Sequence, residues 1–151
     1  MSDRIIFTKS YTETYSLGKE LGFNIRKLNK NEGIKLGFTG DLGAGKTLMI
    51  KGIMSVLMPT EDVTSPTYTI INQYSINDKD ILHVDLYRIN STAELEGTGF
   101  IEALSEPSTV MLIEWIDRLA NEVDNLCKDI VYIDINYVST DERKITIKNW
   151  R

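Results

Sequence analysis

Cysteine, histidine and proline are scarce in this sequence: one cysteine (Cys127), one histidine (His83) and three prolines. A single cysteine excludes an internal disulfide and leaves a thiolate zinc cluster without ligands, so Cys127 is expected to be a buried or half-buried thiol. No apolar run approaches the length of a membrane span, and Met1-Ser2-Asp3-Arg4 has none of the apolar core of a secretory signal. Positive charge is also short, with 17 Lys and Arg against 22 Asp and Glu and a net charge of −5. Broad contact with a DNA or RNA backbone needs a basic face, which this balance argues against. The nearest basic cluster, Arg26-Lys27-Leu28-Asn29-Lys30, falls near the end of a predicted helix, where cations complement the helix dipole. These absences point to the cytoplasm, with no membrane and no DNA, and with any nucleic acid reached through partners.

What is present is an ordinary globular composition, 42% hydrophobic and 26% charged over 151 residues, which by length reads as a single domain, 1–151. Within it, Gly40-Asp41-Leu42-Gly43-Ala44-Gly45-Lys46-Thr47 fills every fixed position of the phosphate-loop pattern G-x-x-x-x-G-K-[ST]. Glycines let backbone N–H groups turn inward around a phosphate, lysine sets a charge against the β and γ oxygens, and the threonine hydroxyl suits Mg²⁺. Chance produces this pattern in roughly one chain of this length in 200. The flanks sharpen it. Ile34 to Phe38 alternates like a strand, and Leu48 to Leu57 carries Met49, Ile50, Ile53, Met54 and Leu57 on one helical stripe, with Pro59 beyond. A strand, a glycine loop and a helix N-terminus together favour an anion. Lys46 is expected to face solvent or phosphate.

Elsewhere, Ile5-Ile6-Phe7 reads as a short strand. Ser10 and Glu13 form a capping box for a helix bearing Tyr15, Leu17, Leu21, Ile25 and Leu28. Thr69 to Ile76 and Ile81 to Tyr87 read as strands joined across Asn77 to Asp80, and Ser91 with Glu94 caps a short helix through Glu96. Thr109 to Trp115 is apolar enough for the middle of a sheet covered on both faces. A helix from about Asp117 to Leu126 precedes a hairpin of Ile130 to Tyr137 and Arg143 to Lys148. The fold class expected is α/β: a parallel central sheet with antiparallel edge strands, in three layers as in P-loop NTPases.

A phosphate loop needs an acid at a strand end to hold a metal or its waters. Asp85, closing Ile81-Leu82-His83-Val84-Asp85, and Glu114, closing Val110-Met111-Leu112-Ile113-Glu114, are both candidates, the second with the shape of a Walker B element. Thr67 lies 20 residues after Thr47 in a loop before a strand, where its hydroxyl can fold over a γ-phosphate as a switch residue does. His83 reads as a packed, hydrogen-bonded histidine more than a catalytic one. Trp115 is placed either to wall the pocket or to fill the core.

A GTPase would carry N-K-x-D after the loop; the nearest string, Asn29-Lys30-Asn31-Glu32, precedes it and ends in Glu. A small-molecule kinase would need cationic side chains clamping the transferred phosphoryl group, whereas the six arginines are scattered and no arginine-bearing lid is visible. An ATPase acting with a partner protein fits better. A nucleotide-gated binding module, in which hydrolysis is incidental, is the alternative.

The strings Gly40 to Thr47, Ser65-Pro66-Thr67-Tyr68, His83-Val84-Asp85-Leu86-Tyr87-Arg88 and Ile113-Glu114-Trp115, in this order and at these spacings, resemble the TsaE (YjeE) family of small bacterial ATPases. Glu13-Thr14 with Leu17-Gly18, and Glu94-Leu95-Glu96, are similar to that family too. The resemblance implies a role in threonylcarbamoyladenosine synthesis in tRNA, hydrolysing ATP in support of a TsaB–TsaD pair that carries the transfer chemistry and touches the tRNA. It implies that Thr47 and Glu114 ligate Mg²⁺, that Asp85 has a Walker B-like role in hydrolysis, and that Thr67 is a switch residue. It also implies that Ser10, Thr12 and their neighbours border the nucleotide, which is held by Asp41, Leu42, Gly43, Ala44, Gly45, Lys46, Thr47 and Leu48. Leu48 departs from the family, which often has a second threonine there. A hydroxyl contact to the α-phosphate is lost, while the backbone N–H of Leu48 can still donate.

Overall fold

The apolar run before Trp115 becomes a strand buried at all five residues, Val110–Glu114. Such a strand needs cover on both faces. In a computed structural model describing residues 3–150, it is β5 of a seven-stranded sheet ordered β1-β7-β6-β2-β5-β4-β3. The strands are β1 (Arg4–Thr8), β2 (Ile34–Thr39), β3 (Ile71–Ile76), β4 (Lys79–Asp85), β5, β6 (Ile130–Tyr137) and β7 (Arg143–Lys148). β6, β2, β5 and β4 run parallel, while β3, β7 and β1 are antiparallel additions at the two edges. This is the expected α/β arrangement.

Alternation along the central strands feeds two cores. Leu36, Phe38, Val110 and Leu112 pack with helices α1 (Tyr11–Arg26) and α2 (Lys46–Leu57) on one face. Met111 and Ile113 pack with α3 (Phe100–Ser105) and α4 (Ala120–Leu126) on the other. All five residues of the predicted stripe on α2 are buried. α1 and α2 meet backbone to backbone: a Cβ on Gly18 would stand 2.2 Å from the Met49 carbonyl oxygen, and one on Gly52 would stand 2.3 Å from that of Tyr15.

Several local readings shift. Ser10 does cap α1, its hydroxyl accepting from the Glu13 N–H at 3.1 Å, but the Glu13 carboxylate reaches the N–H of Lys9. Leu28 lies beyond the end of α1, yet still packs on the first core. The β3–β4 hairpin turns on Asn77 and Asp78, both at positive φ, as a two-residue loop of type I′ requires. β3 begins at Ile71 instead of Thr69. β4 stops at Asp85 instead of Tyr87, whose N–H turns back to the Asp85 carboxylate at 2.9 Å. The segment from Ser91 is a 3₁₀ turn, Thr92–Leu95, with both capping-box bonds in place. α3 has no counterpart in the sequence reading, its six residues being too few for a helical period to register. The helix expected from Asp117 divides into a 3₁₀ turn, Ile116–Leu119, and α4.

Candidate functional site

Strand register builds the site. Phe38 on β2 lies opposite Glu114 on β5, and Glu114 lies opposite Asp85 on β4, so the glycine loop and both acids emerge at the same end of the parallel strands. Ligands of open α/β sheets bind at that end. A cleft of about 390 Å³ opens there. It is lined by the loop residues Leu42, Gly43, Gly45, Lys46, Thr47 and Leu48, and by Thr67, Asp85, Glu114 and Trp115. A larger cleft of about 700 Å³ lies at the opposite end of β2, around Leu28, Ile34, Lys35 and Trp150. Lys35 there donates to the carbonyls of Glu106 and Thr109, and neither the glycine loop nor the paired acids reach it.

Glu114 is the hub. The Thr47 hydroxyl donates to Glu114 Oε1 at 2.6 Å, and His83 Nε2 lies 2.7 Å from Oε2. A carboxylate only accepts, so Nε2 carries the proton of that bond. His83 is wholly buried, as its packed reading anticipated, and its Nδ1 has no hydrogen-bond partner among the described residues. The Lys46 ammonium donates to the carbonyls of Gly40 at 2.5 Å and Asp41 at 3.0 Å, 4.0 Å from the centre of the Trp115 ring. At 5% exposure Lys46 is more enclosed than the sequence suggested, because Trp115 closes over it. Trp115 can do so because it leaves β5 in the left-handed conformation, φ 60°, which is uncommon for a residue with a side chain. Burial lowers the Lys46 ammonium from its ordinary value, against the pull of Glu114, Asp117, Asp41 and Asp85. Burial likewise raises the Asp85 carboxyl; the Tyr87 N–H, bonded at 2.9 Å, works against this and the charge of Glu114 adds to it.

Thr67 bonds Ser65 through the hydroxyls at 2.9 Å, and its loop is tied to the acid strand where the Asp85 N–H donates to the Ile70 carbonyl at 2.8 Å. Asp41 and Ala44 belong to the loop without lining the cleft. Ser10 is spent capping α1, and Thr12 is exposed on its first turn; of that segment it is Tyr11 that lines the cleft. Ser65, Tyr87 and Arg88 also reach it. These three fall within the sequence motifs but not among the expected site residues. Nor are Tyr137 and Arg143 expected there: they lie about a hundred residues away in the β6–β7 hairpin and bond the loop carbonyls of Leu42 and Ala44.

Among the described residues no three His, Cys, Asp or Glu side chains form a metal-binding group. Mg²⁺ is usually held by one or two protein oxygens together with substrate phosphates and water, not by an all-protein cage. The Thr47 hydroxyl and Glu114 carboxylate, adjacent at 2.6 Å, could supply two such oxygens.

A glycine loop between a parallel strand and a helix, with a strand-end acid against its threonine, defines a P-loop nucleotide-binding fold. The chain belongs to the TsaE family: the sequence pattern described as threonylcarbamoyl adenosine biosynthesis protein TsaE matches residues 8–145. Proteins of this family are involved in tRNA threonylcarbamoyladenosine biosynthesis. The TsaE protein of Haemophilus influenzae is 38% identical over 101 residues, 67% of this chain and 63% of that protein. That of Bacillus subtilis is 36% identical over 107 residues, 71% of this chain and 64% of that protein. The Aquifex aeolicus protein is 30% identical over 146 residues, 94% of this chain and 93% of its own. The match thus takes in just under two thirds of the first two relatives and nearly all of the third. The crystal structure of Bacillus subtilis YdiB has the same fold, with a TM-score of 0.69 at 24% identity, covering 97% of this chain and 84% of that one. Among the described residues no helix is long and apolar enough to cross a membrane.

Proposed function

We propose that this chain is a single-domain, Mg²⁺-dependent ATPase of the cytoplasm that supports threonylcarbamoyl transfer to adenosine in tRNA by a TsaB–TsaD-type pair. The observation that carries this reading is the bond from Thr47 to Glu114, which brings a hydroxyl and a carboxylate of the kind that hold Mg²⁺ together beside the phosphate loop. Magnesium bound there with the nucleotide would neutralise charge on the β and γ oxygens. The chain's own groups do the rest. The loop amides and the N-terminus of α2 bind and orient the phosphates. Lys46, released from the Gly40 and Asp41 carbonyls, adds a positive charge, and the Trp115 ring excludes water from its ammonium. Asp85 would accept from water at the metal site and Thr67 would donate to the γ end, roles supported by the register of Asp85 beside Glu114 and by both side chains lining the cleft. Contact with tRNA is left to the partners, in keeping with the net charge of −5.

Phosphate release by the isolated chain, compared with release after adding cognate TsaB and TsaD, tests the reading. Slow release that rises with the pair is expected. ATP-dependent docking on the pair that persists in an Asp85→Ala protein with no turnover would select a nucleotide-gated module instead. Phosphorylation of a small acceptor with no partner present would select a kinase.

A further inference from the structure

Arg143 opens β7, is 3% exposed, and pairs with no carboxylate among the described residues. Among the described residues all its hydrogen bonds go to carbonyls. Nε donates to Ala44 at 2.8 Å, and Nη1 donates to Ser139, Thr140 and Glu142 at 2.9 to 3.0 Å. Its guanidinium stacks 4.2 Å from the centre of the Tyr137 ring, and the Tyr137 hydroxyl donates to the Leu42 carbonyl at 3.3 Å. The β6–β7 hairpin therefore holds two carbonyls of the glycine loop from behind.

In a trans peptide the C=O and the following N–H point in opposite directions. Holding the Ala44 carbonyl outward aims the Gly45 N–H into the cleft, and holding that of Leu42 does the same for Gly43. The intervening Ala44 N–H is turned away, donating to the Asp41 carbonyl at 2.9 Å. This alternation requires positive φ at Gly43 (79°) and Gly45 (118°), and a Cβ on Gly43 would stand 2.9 Å from the Tyr137 hydroxyl. The elements fit one another.

We infer that Arg143, assisted by Tyr137, is a positioning residue for phosphate binding: it fixes the 42–43 and 44–45 peptides with their N–H groups facing the ligand before the ligand arrives. Preorganisation of this kind raises affinity by removing the cost of ordering the loop at the moment of binding. The unpaired guanidinium behind the loop also adds positive potential for an anion. The inference rests on the nucleotide-binding reading proposed above, with a nucleoside diphosphate or triphosphate as the ligand class.

The test uses the whole chain and three variants, Arg143→Met, Arg143→Lys and Tyr137→Phe. Calorimetric titration of the unaltered protein with ADP examines the nucleotide reading by itself. Amide spectra without ligand examine the clamp by itself: Gly45 is expected to shift in both Arg143 variants and Gly43 in Tyr137→Phe, beyond any change in the body of α2. ADP affinity is expected to fall about tenfold in Arg143→Met, less in Arg143→Lys, and about two- to threefold in Tyr137→Phe. A merely structural Arg143 would lower the melting temperature while leaving the glycine amides and the ADP affinity of the folded protein unchanged, and that result overturns the inference. Should Arg143→Met not fold, the same criteria apply to Tyr137→Phe at Gly43, because its exposed hydroxyl can be removed without opening the core. If the unaltered protein does not bind ADP, the nucleotide reading fails, while the glycine shifts still decide whether the hairpin sets the loop.

Discussion

His83 and Glu114 meet at 2.7 Å in a place sealed from water, so the second oxygen of the acid that faces Thr47 is held by the only histidine in the chain. Partners of this kind orient metal-ligating groups, and losing them commonly costs about 10- to 100-fold in metal affinity. His83→Phe should therefore weaken ADP binding in the presence of Mg²⁺ by about tenfold, yet leave binding in EDTA unchanged. His83→Gln, which keeps a donor near the place of Nε2, should retain most of the difference. Calorimetry with and without Mg²⁺ measures both, and equal losses in the two conditions would assign His83 to packing alone.

Lys46→Ala should lower ATP affinity by about 10- to 100-fold, the range for a charge-assisted hydrogen bond. Because Lys46 is buried against Trp115 and its own loop, a drop in melting temperature should accompany the loss. Lys46→Met, which keeps the stem, should restore the melting temperature without restoring binding. A folded Lys46→Ala protein that binds ATP normally would contradict the phosphate-loop assignment.

Binding and turnover should separate at Asp85 and Thr67. On the proposed function the loop amides, Lys46 and the start of α2 would supply most ground-state contacts, whereas these two side chains would stand where charge moves during transfer. Asp85→Ala and Thr67→Ala should each lower kcat of the partner-stimulated ATPase with little change in nucleotide Kd. Titration with a fluorescent ATP analogue beside steady-state assays decides it. If binding collapses with Asp85→Ala while circular dichroism stays native, Asp85 is a ground-state ligand.

Asp85 should also cost stability in the nucleotide-free protein. Burial raises its carboxyl in the folded state, so the folded chain holds that proton more tightly than the unfolded one. The penalty is full above the folded value, shrinks as pH falls through it, and is gone below the unfolded value. Asp85→Asn should therefore melt at a higher temperature than the unaltered protein at pH 7 in EDTA, with the gap closing toward pH 4. A gap independent of pH would show that the carboxylate charge is not its cause.

Packing of α1 on α2 offers a purely structural check. Gly52→Ala sets a methyl 2.3 Å from the Tyr15 carbonyl oxygen, and neither backbone can retreat without disturbing both helices. Destabilisation of about 2–4 kcal/mol is expected by denaturant titration, in the upper range for overpacking. A neutral result would mean that the helices pack less closely than described.

The glycine loop, its strand and its helix were legible in the sequence because they are contiguous: one strand period, one motif and one helical stripe in 24 residues from Ile34 to Leu57. The acids were legible as strand ends, while spacing along a chain is silent on their lateral register. Only the pairing of Glu114 between Phe38 and Asp85, together with its bond to Thr47, gives it the place next to the loop. Trp115, open between pocket and core in the sequence, takes part in both, lining the cleft and packing on the second core through a left-handed turn that no local pattern announces. The burial of Lys46, the seal around His83 and the support of the loop by Arg143 and Tyr137 all depend on segments distant in sequence. Periodicity and motif act over a few residues and fix elements; the contacts that orient a site form where the sheet order brings remote elements together, and that order is a property of the packed core.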